Sequence, residues 1–211
     1  MKSLTPINHI FYEDALHEAV IKNILSNSSV NYIYKPDKLN NCHGKSNIFK
    51  NMEKYNQVAK FQTILVLVDL NQKHKCPSDL LKKWFVHPKN HNLIFRIAVR
   101  EVESWILADR DNFAKFIKID KVFIPYESDK IDDPKECLIK LVKNSKIKKL
   151  RDYIVPKHKT TAKQGPNYNE PLVDFVLNHW DIEEAAKNSP SLHRTINAIN
   201  NFKPEKYGEY K

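Results

Sequence analysis

A chain of 211 residues, 41% hydrophobic and 28% charged, is long enough to bury a substantial core and suits one compact domain or a domain with an appended helical piece. It contains no run near the roughly 18 apolar residues of a membrane span and no signal-peptide pattern at its start, so a cytoplasmic protein is expected. Its 35 Lys and Arg exceed its 25 Asp and Glu by 10, which suits an anionic partner, nucleic acid before others, and also suits a surface of solvated lysines; three scattered cysteines, Cys42, Cys76 and Cys137, argue against a disulfide framework and a zinc site.

Ile7 to Tyr12 is rich in β-formers and stops at Glu13-Asp14, where the apolar spacing switches to a helical period through Leu16, Ala19, Val20, Ile24 and Leu25. A strand thus delivers Glu13 to a strand-to-helix turn. Asp14 and Glu18 are explained as well by the preference of acids for a helix N-terminus. Val30 to Tyr34 reads as a second short strand, followed by a polar loop from Asp37 to Lys45. That loop holds Gly44, one of three glycines, where a positive φ or a close backbone approach is expected. Gly44-Lys45-Ser46 opens a helix bearing Ile48, Met52, Tyr55 and Ala59. It is no ATP-binding P-loop, because position 39 of the required GxxxxGK[ST] frame is Leu and no strand leads directly into it.

Thr63 to Asp69 is an almost unbroken aliphatic run without a helical period, ending in a carboxylate. Such a run predicts a central strand of a parallel sheet, buried on both faces. Asp69 then lies at the carboxyl edge, where open α/β sheets bind ligands and metals, or serves as a turn or cap residue. After Leu70-Asn71-Gln72 and a basic loop through His74 and Lys75, Pro77 starts a short helix with Leu80, Leu81 and Trp84. Asn92 to Val99 is the next strand, running into Glu101, Glu103 and a helical pattern of Val102, Trp105 and Ile106. Val122 to Pro125 reads as one more short strand. The remainder reads as helices over 134–143, 169–179, 182–187 and 191–202, the last capped by Ser191.

Between the first two of these helices, Lys140 to Lys163 holds nine Lys and Arg against one acid, Asp152. It is a contact surface for phosphates or a solvated face, and it ends in a turn at Gly165-Pro166. Trp84, Trp105 and Trp180 lie on apolar helix faces and are expected in the core. The nine histidines show no pairing at metal-ligand spacing and are taken as structural or surface residues.

Strands alternating with helices predict an α/β fold, a mostly parallel sheet flanked by helices over residues 1–120, with a basic, helical C-terminal extension over 121–211 packed on it. The strand ends then bring Glu13, Asp69 and the Glu101/Glu103 pair along one rim. Hard oxygen ligands of this kind suit Mg²⁺ or Mn²⁺, which can polarise a phosphodiester and activate water.

In that order and context, strand-Glu13, strand-Asp69-Leu70-Asn71 and Glu103 two residues before Trp105 resemble the TOPRIM (topoisomerase-primase) fold. The resemblance spans roughly residues 5 to 118 and is nearest to small TOPRIM-like proteins related to overcoming-lysogenization-defect nucleases, many of which are encoded beside ATPases in bacterial anti-phage systems. It implies a Mg²⁺-dependent (or Mn²⁺-dependent) DNA-cleaving protein working with an ATPase partner, with Glu13 as ligand or general base. Asp69 matches the first aspartate of the family's Asp-x-Asp and Glu103 the later acid. Lys163 is the candidate for the lysine that related nucleases place near the scissile phosphate. Two positions depart from the pattern. The second aspartate is Asn71, which can offer only a neutral oxygen to a metal, with Asp79 or Glu101 as substitutes; the glycine after the first glutamate is Asp14. These departures motivate an alternative, a catalytically silent TOPRIM-like subunit that binds an ATPase or nucleic acid as a scaffold. A receiver-like domain phosphorylated on Asp69 is a third reading. It lacks the lysine expected at the end of the last strand. Self-association is compatible with all three.

Overall fold

The computed structural model describes residues 4–71, 76–157 and 161–205. The chain divides into two compact units, residues 1–97 with 194–211 and residues 98–193.

The first unit is α/β. Strands β1 (Leu4–Pro6) and β3 (Asn31–Ile33) pair in parallel as a two-stranded sheet, with Leu4 opposite Asn31. A four-stranded sheet runs in the order β4-β2-β5-β6, formed by β2 (His9–Tyr12), β4 (Leu39–Asn41), β5 (Ile64–Asp69) and β6 (Leu93–Ala98). β2 is parallel to both neighbours, with Ile10 opposite Leu39 on one side and Leu65 on the other. Interior position explains the aliphatic run of β5, all six residues of which are buried. Helix α1 (Ala15–Ser26) packs on this sheet through a face including Leu16, Val20 and Ile24. Its start is set by Asp14, whose Oδ1 accepts from the amides of Leu16 at 2.9 Å and His17 at 3.2 Å. Helices α2 (Lys45–Lys50) and α3 (Met52–Val58) connect β4 to β5, and α4 (Pro77–Trp84) connects β5 to β6.

Two strands, β1 and β4, were hidden from hydrophobic patterning. Leu39–Asn41 falls in the expected polar loop but forms the edge strand β4. An edge strand is held by backbone pairing and needs no apolar run; the Asn40 amide adds bonds to the carbonyls of Ile10 and Lys38.

The second unit is helical. Its centre is α5 (Val102–Ala108), every residue of which is buried. Around it lie α6 (Arg110–Ile117), α7 (Pro134–Lys143), α8 (Lys148–Ile154), α9 (Asn169–Asn178), α10 (Ile182–Asn188) and the start of α11 (Pro190–Asn200). The three tryptophans are buried, as expected. Trp105 donates its indole N–H to Ser191 Oγ at 2.7 Å. That bond corrects the expected cap: Ser191 serves Trp105, while Ser189 Oγ accepts from the Leu192 amide at the head of α11. The strand expected over Val122–Pro125 is absent. Lys121–Phe123 is instead a 3₁₀ turn capped by Asp120, leaving Val122 and Phe123 exposed, so these apolar residues face solvent instead of a sheet. Helix α8, inside the basic stretch, had no counterpart in the sequence reading. The Gly165 turn docks on its end, donating from the Gly165 amide to the Ile154 carbonyl at 2.9 Å. A Cβ on Gly165 would overlap the Tyr153 carbonyl, so the approach requires glycine.

Candidate metal centre

Three groups of the first unit meet at the carboxyl end of its sheet. β5 ends in Asp69, the residue after β2 is Glu13, and the first turn of α1 carries His17. Their ligand atoms lie within 4.8 Å of one another. Glu13 is fixed by backbone donors on either side. Its Oε1 accepts from the Asp69 amide at 2.8 Å and its Oε2 from the Lys45 amide at 3.1 Å. Gly44, at φ +111°, turns the chain between β4 and α2 and donates its own amide to the Glu13 carbonyl.

His17 is 2% exposed. Its Nδ1 lies 3.0 Å from Asp14 Oδ1, and its Nε2 lies 3.2 Å from Asp69 Oδ1 without the alignment of a hydrogen bond. Nε2 has no hydrogen-bond partner among the described residues. Burial alone would push the His17 pKa down, but the Asp69 and Asp14 carboxylates override it and hold the imidazole well above its ordinary range. Burial and then the Asp69 charge push Glu13 up to about 7, against the opposing pull of His17, the Asp69 amide and Lys45. The two carboxylates and the imidazole thus enclose a space in which a cation can take the place of protons on Glu13 and His17. A buried imidazole nitrogen without a hydrogen bond, with its other nitrogen on a carboxylate, matches the donor set of a metal site. Glu13, His17 and Asp69 can hold a metal ion.

Lys45 completes the rim. Its ammonium donates to the carbonyls of Asp69 and Leu70 and to Asn71 Oδ1 at 3.2 Å. Asn71 stands at φ +58°, a left-handed conformation that asparagine tolerates better than most side chains, and its amide oxygen is already engaged by a cation.

Glu103 belongs to the second unit. It is 2% exposed, and its Oε1 accepts from the Tyr168 hydroxyl at 3.0 Å and pairs with Lys135 Nζ at 3.3 Å. Glu101 Oε2 accepts from the Lys135 amide. Lys163 is exposed in the same unit, and Asp79 is exposed in the first turn of α4. The basic stretch lines an open cavity of about 500 Å³ with Lys143, Arg151, Tyr153 and Lys157; Lys159, with His158 and Thr160, lies outside the described residues, as do His74 and Lys75.

Sequence reasoning passed over His17 and Lys45. A signal for each existed: His17 follows Glu13 by four residues across a strand-to-helix turn, and Lys45 follows a scarce glycine. No helix among the described residues is long and apolar enough to cross a membrane. Compared with known proteins, the chain matches no family model, no curated protein and no solved structure.

Proposed function

We propose that the protein is a metal-dependent nuclease that hydrolyses phosphodiester bonds in DNA on a TOPRIM-like core, acting as the effector of an anti-phage system with an ATPase partner. The observation that carries the reading is the convergence of Glu13, His17 and Asp69 within 4.8 Å at the carboxyl end of parallel strands. Bound there, a divalent ion such as Mg²⁺ or Mn²⁺ supplies Lewis acidity toward a phosphate oxygen and lowers the pKa of water. Glu13 and Asp69 supply the negative charge that retains the ion. Lys45 places an ammonium beside the same carboxylates, suited to balancing the charge of an incoming phosphate. In the second unit, Lys143, Arg151 and Lys157 offer a basic surface to a nucleic-acid backbone.

Nicking of supercoiled plasmid tests the proposal. Cleavage is expected with Mg²⁺ or Mn²⁺ and is expected to fall about 100-fold or more in Asp69→Asn and in Glu13→Gln. Undiminished cleavage by these variants overturns it. The contact of Asn71 Oδ1 with Lys45 favours a second reading, a silent TOPRIM-like subunit that serves an ATPase or nucleic acid as a scaffold. Under it, wild type is inert in every metal while still binding DNA.

A further inference from the structure

We propose that the imidazole of His17, oriented by Asp14, is a metal ligand, and that the site therefore takes a divalent ion of the Mn²⁺ to Zn²⁺ series in preference to Mg²⁺. The inference rests on the metal site of the preceding reading and deepens it by naming the class of ion.

Three features of the rim carry it. First, Nε2 of a residue 2% exposed points toward the two carboxylates, 3.2 Å from Asp69 Oδ1, yet makes no aligned hydrogen bond among the described residues. Buried polar atoms are nearly always hydrogen-bonded, so one left without a bond beside two carboxylates points to a ligand. Second, the opposite nitrogen is anchored. Asp14 Oδ1, itself held by the amides of Leu16 and His17, lies 3.0 Å from Nδ1. Carboxylate-to-histidine contacts of this kind fix the tautomer that leaves the outer nitrogen open to a metal and raise its basicity. Third, neutral oxygens beside Asp69 are already engaged. The carbonyls of Asp69 and Leu70 and the Asn71 amide oxygen all accept from the Lys45 ammonium.

Mg²⁺ favours an all-oxygen octahedron and gives up its waters reluctantly, whereas imidazole suits the later first-row ions. One nitrogen among two carboxylates thus tilts the site toward those ions.

The test is direct metal binding by the full chain. Calorimetric titration with Mn²⁺ alone and Mg²⁺ alone is expected to show Mn²⁺ bound at least about 10-fold more tightly. Electron spin-echo spectroscopy of the Mn²⁺-loaded protein is expected to show coupling to an imidazole ¹⁴N. His17→Asp, which restores an all-oxygen set, should remove that coupling and narrow the Mn²⁺-over-Mg²⁺ preference by about 10-fold. Asp14→Asn keeps a helix cap of equal quality and should weaken Mn²⁺ binding by about 10- to 100-fold, which tests the idea even if His17→Asp fails to fold. Absence of ¹⁴N coupling in wild type, failure to bind Mn²⁺, or a preference unchanged in His17→Asp overturns the proposal. Plasmid cleavage separates the two readings: cleavage without ¹⁴N coupling sinks this inference alone, and ¹⁴N coupling without cleavage sinks the nuclease.

Discussion

Two buried carboxylate sites, one in each unit, receive opposite treatment from their surroundings. Glu103 has a phenol and an ammonium as partners, at 3.0 and 3.3 Å, so its charge is answered by the protein. Glu13 and Asp69 face each other with one imidazole between them, and Glu13 is driven up to about 7 by burial and by its neighbour. Burial of an acid is therefore a poor guide to chemistry by itself. What separates a structural carboxylate from a candidate ligand is whether a neighbouring cation answers its charge, as Lys135 does for Glu103, or two acids crowd around a shared imidazole, as Glu13 and Asp69 do.

The comparison can be broken at either end. If the Glu13–His17–Asp69 group is built to receive a cation, the folded state binds it and the unfolded chain does not. Mn²⁺ at 100 times its dissociation constant should then stabilise the protein by about 2.7 kcal/mol. Thermal unfolding with and without Mn²⁺ measures this shift, and Glu13→Gln should abolish it. Equal shifts in wild type and variant would mean that the ion binds elsewhere.

At the other end, Glu103→Gln keeps an oxygen for the Tyr168 hydroxyl but removes the charge that Lys135 Nζ faces at 3.3 Å. A loss of about 1–3 kcal/mol in denaturant unfolding is expected. An unchanged midpoint would show that the pair contributes nothing net, and the contrast between the two sites would lose its energetic basis. The loss is bounded because Lys135 keeps partial access to water, with its side chain 32% exposed.

The legible parts of this molecule are those where one local signal decides the outcome. β5 was readable because an interior parallel strand must be apolar throughout, and α1 because Asp14 caps a clean helical period. Glu13 and Asp69 followed, since strand ends carry their neighbours to one edge. β4 was not readable: Leu39-Asn40-Asn41 is held by main-chain pairing to β2, which leaves little side-chain trace. His17 was missed because no second histidine stands at metal-ligand spacing from it, and only the parallel pairing of β2 with β5 brings Asp69 against it. Lys45 was judged by the motif it failed to match, and its partners include main-chain oxygens 24 and 25 residues away and the Asn71 side chain.

The smallest expected effect concerns Asn71, where the rim departs from the Asp-x-Asp pattern. Asn71→Asp introduces a carboxylate beside the Lys45 ammonium, which lies 3.2 Å from the present amide oxygen. Aspartate accepts the left-handed φ of +58° about as readily as asparagine, so the backbone has no reason to move. A partly exposed ion pair contributes about 0–1 kcal/mol, and unfolding should register a stabilisation no larger than that. Because the new charge is matched by the ammonium, Mn²⁺ affinity should change less than threefold in the same variant. A large gain in affinity would instead mean that the new carboxylate binds the ion in place of Lys45. Asn71 would then be the position that limits the affinity of the rim, and the Lys45 ammonium a neighbour that the ion displaces.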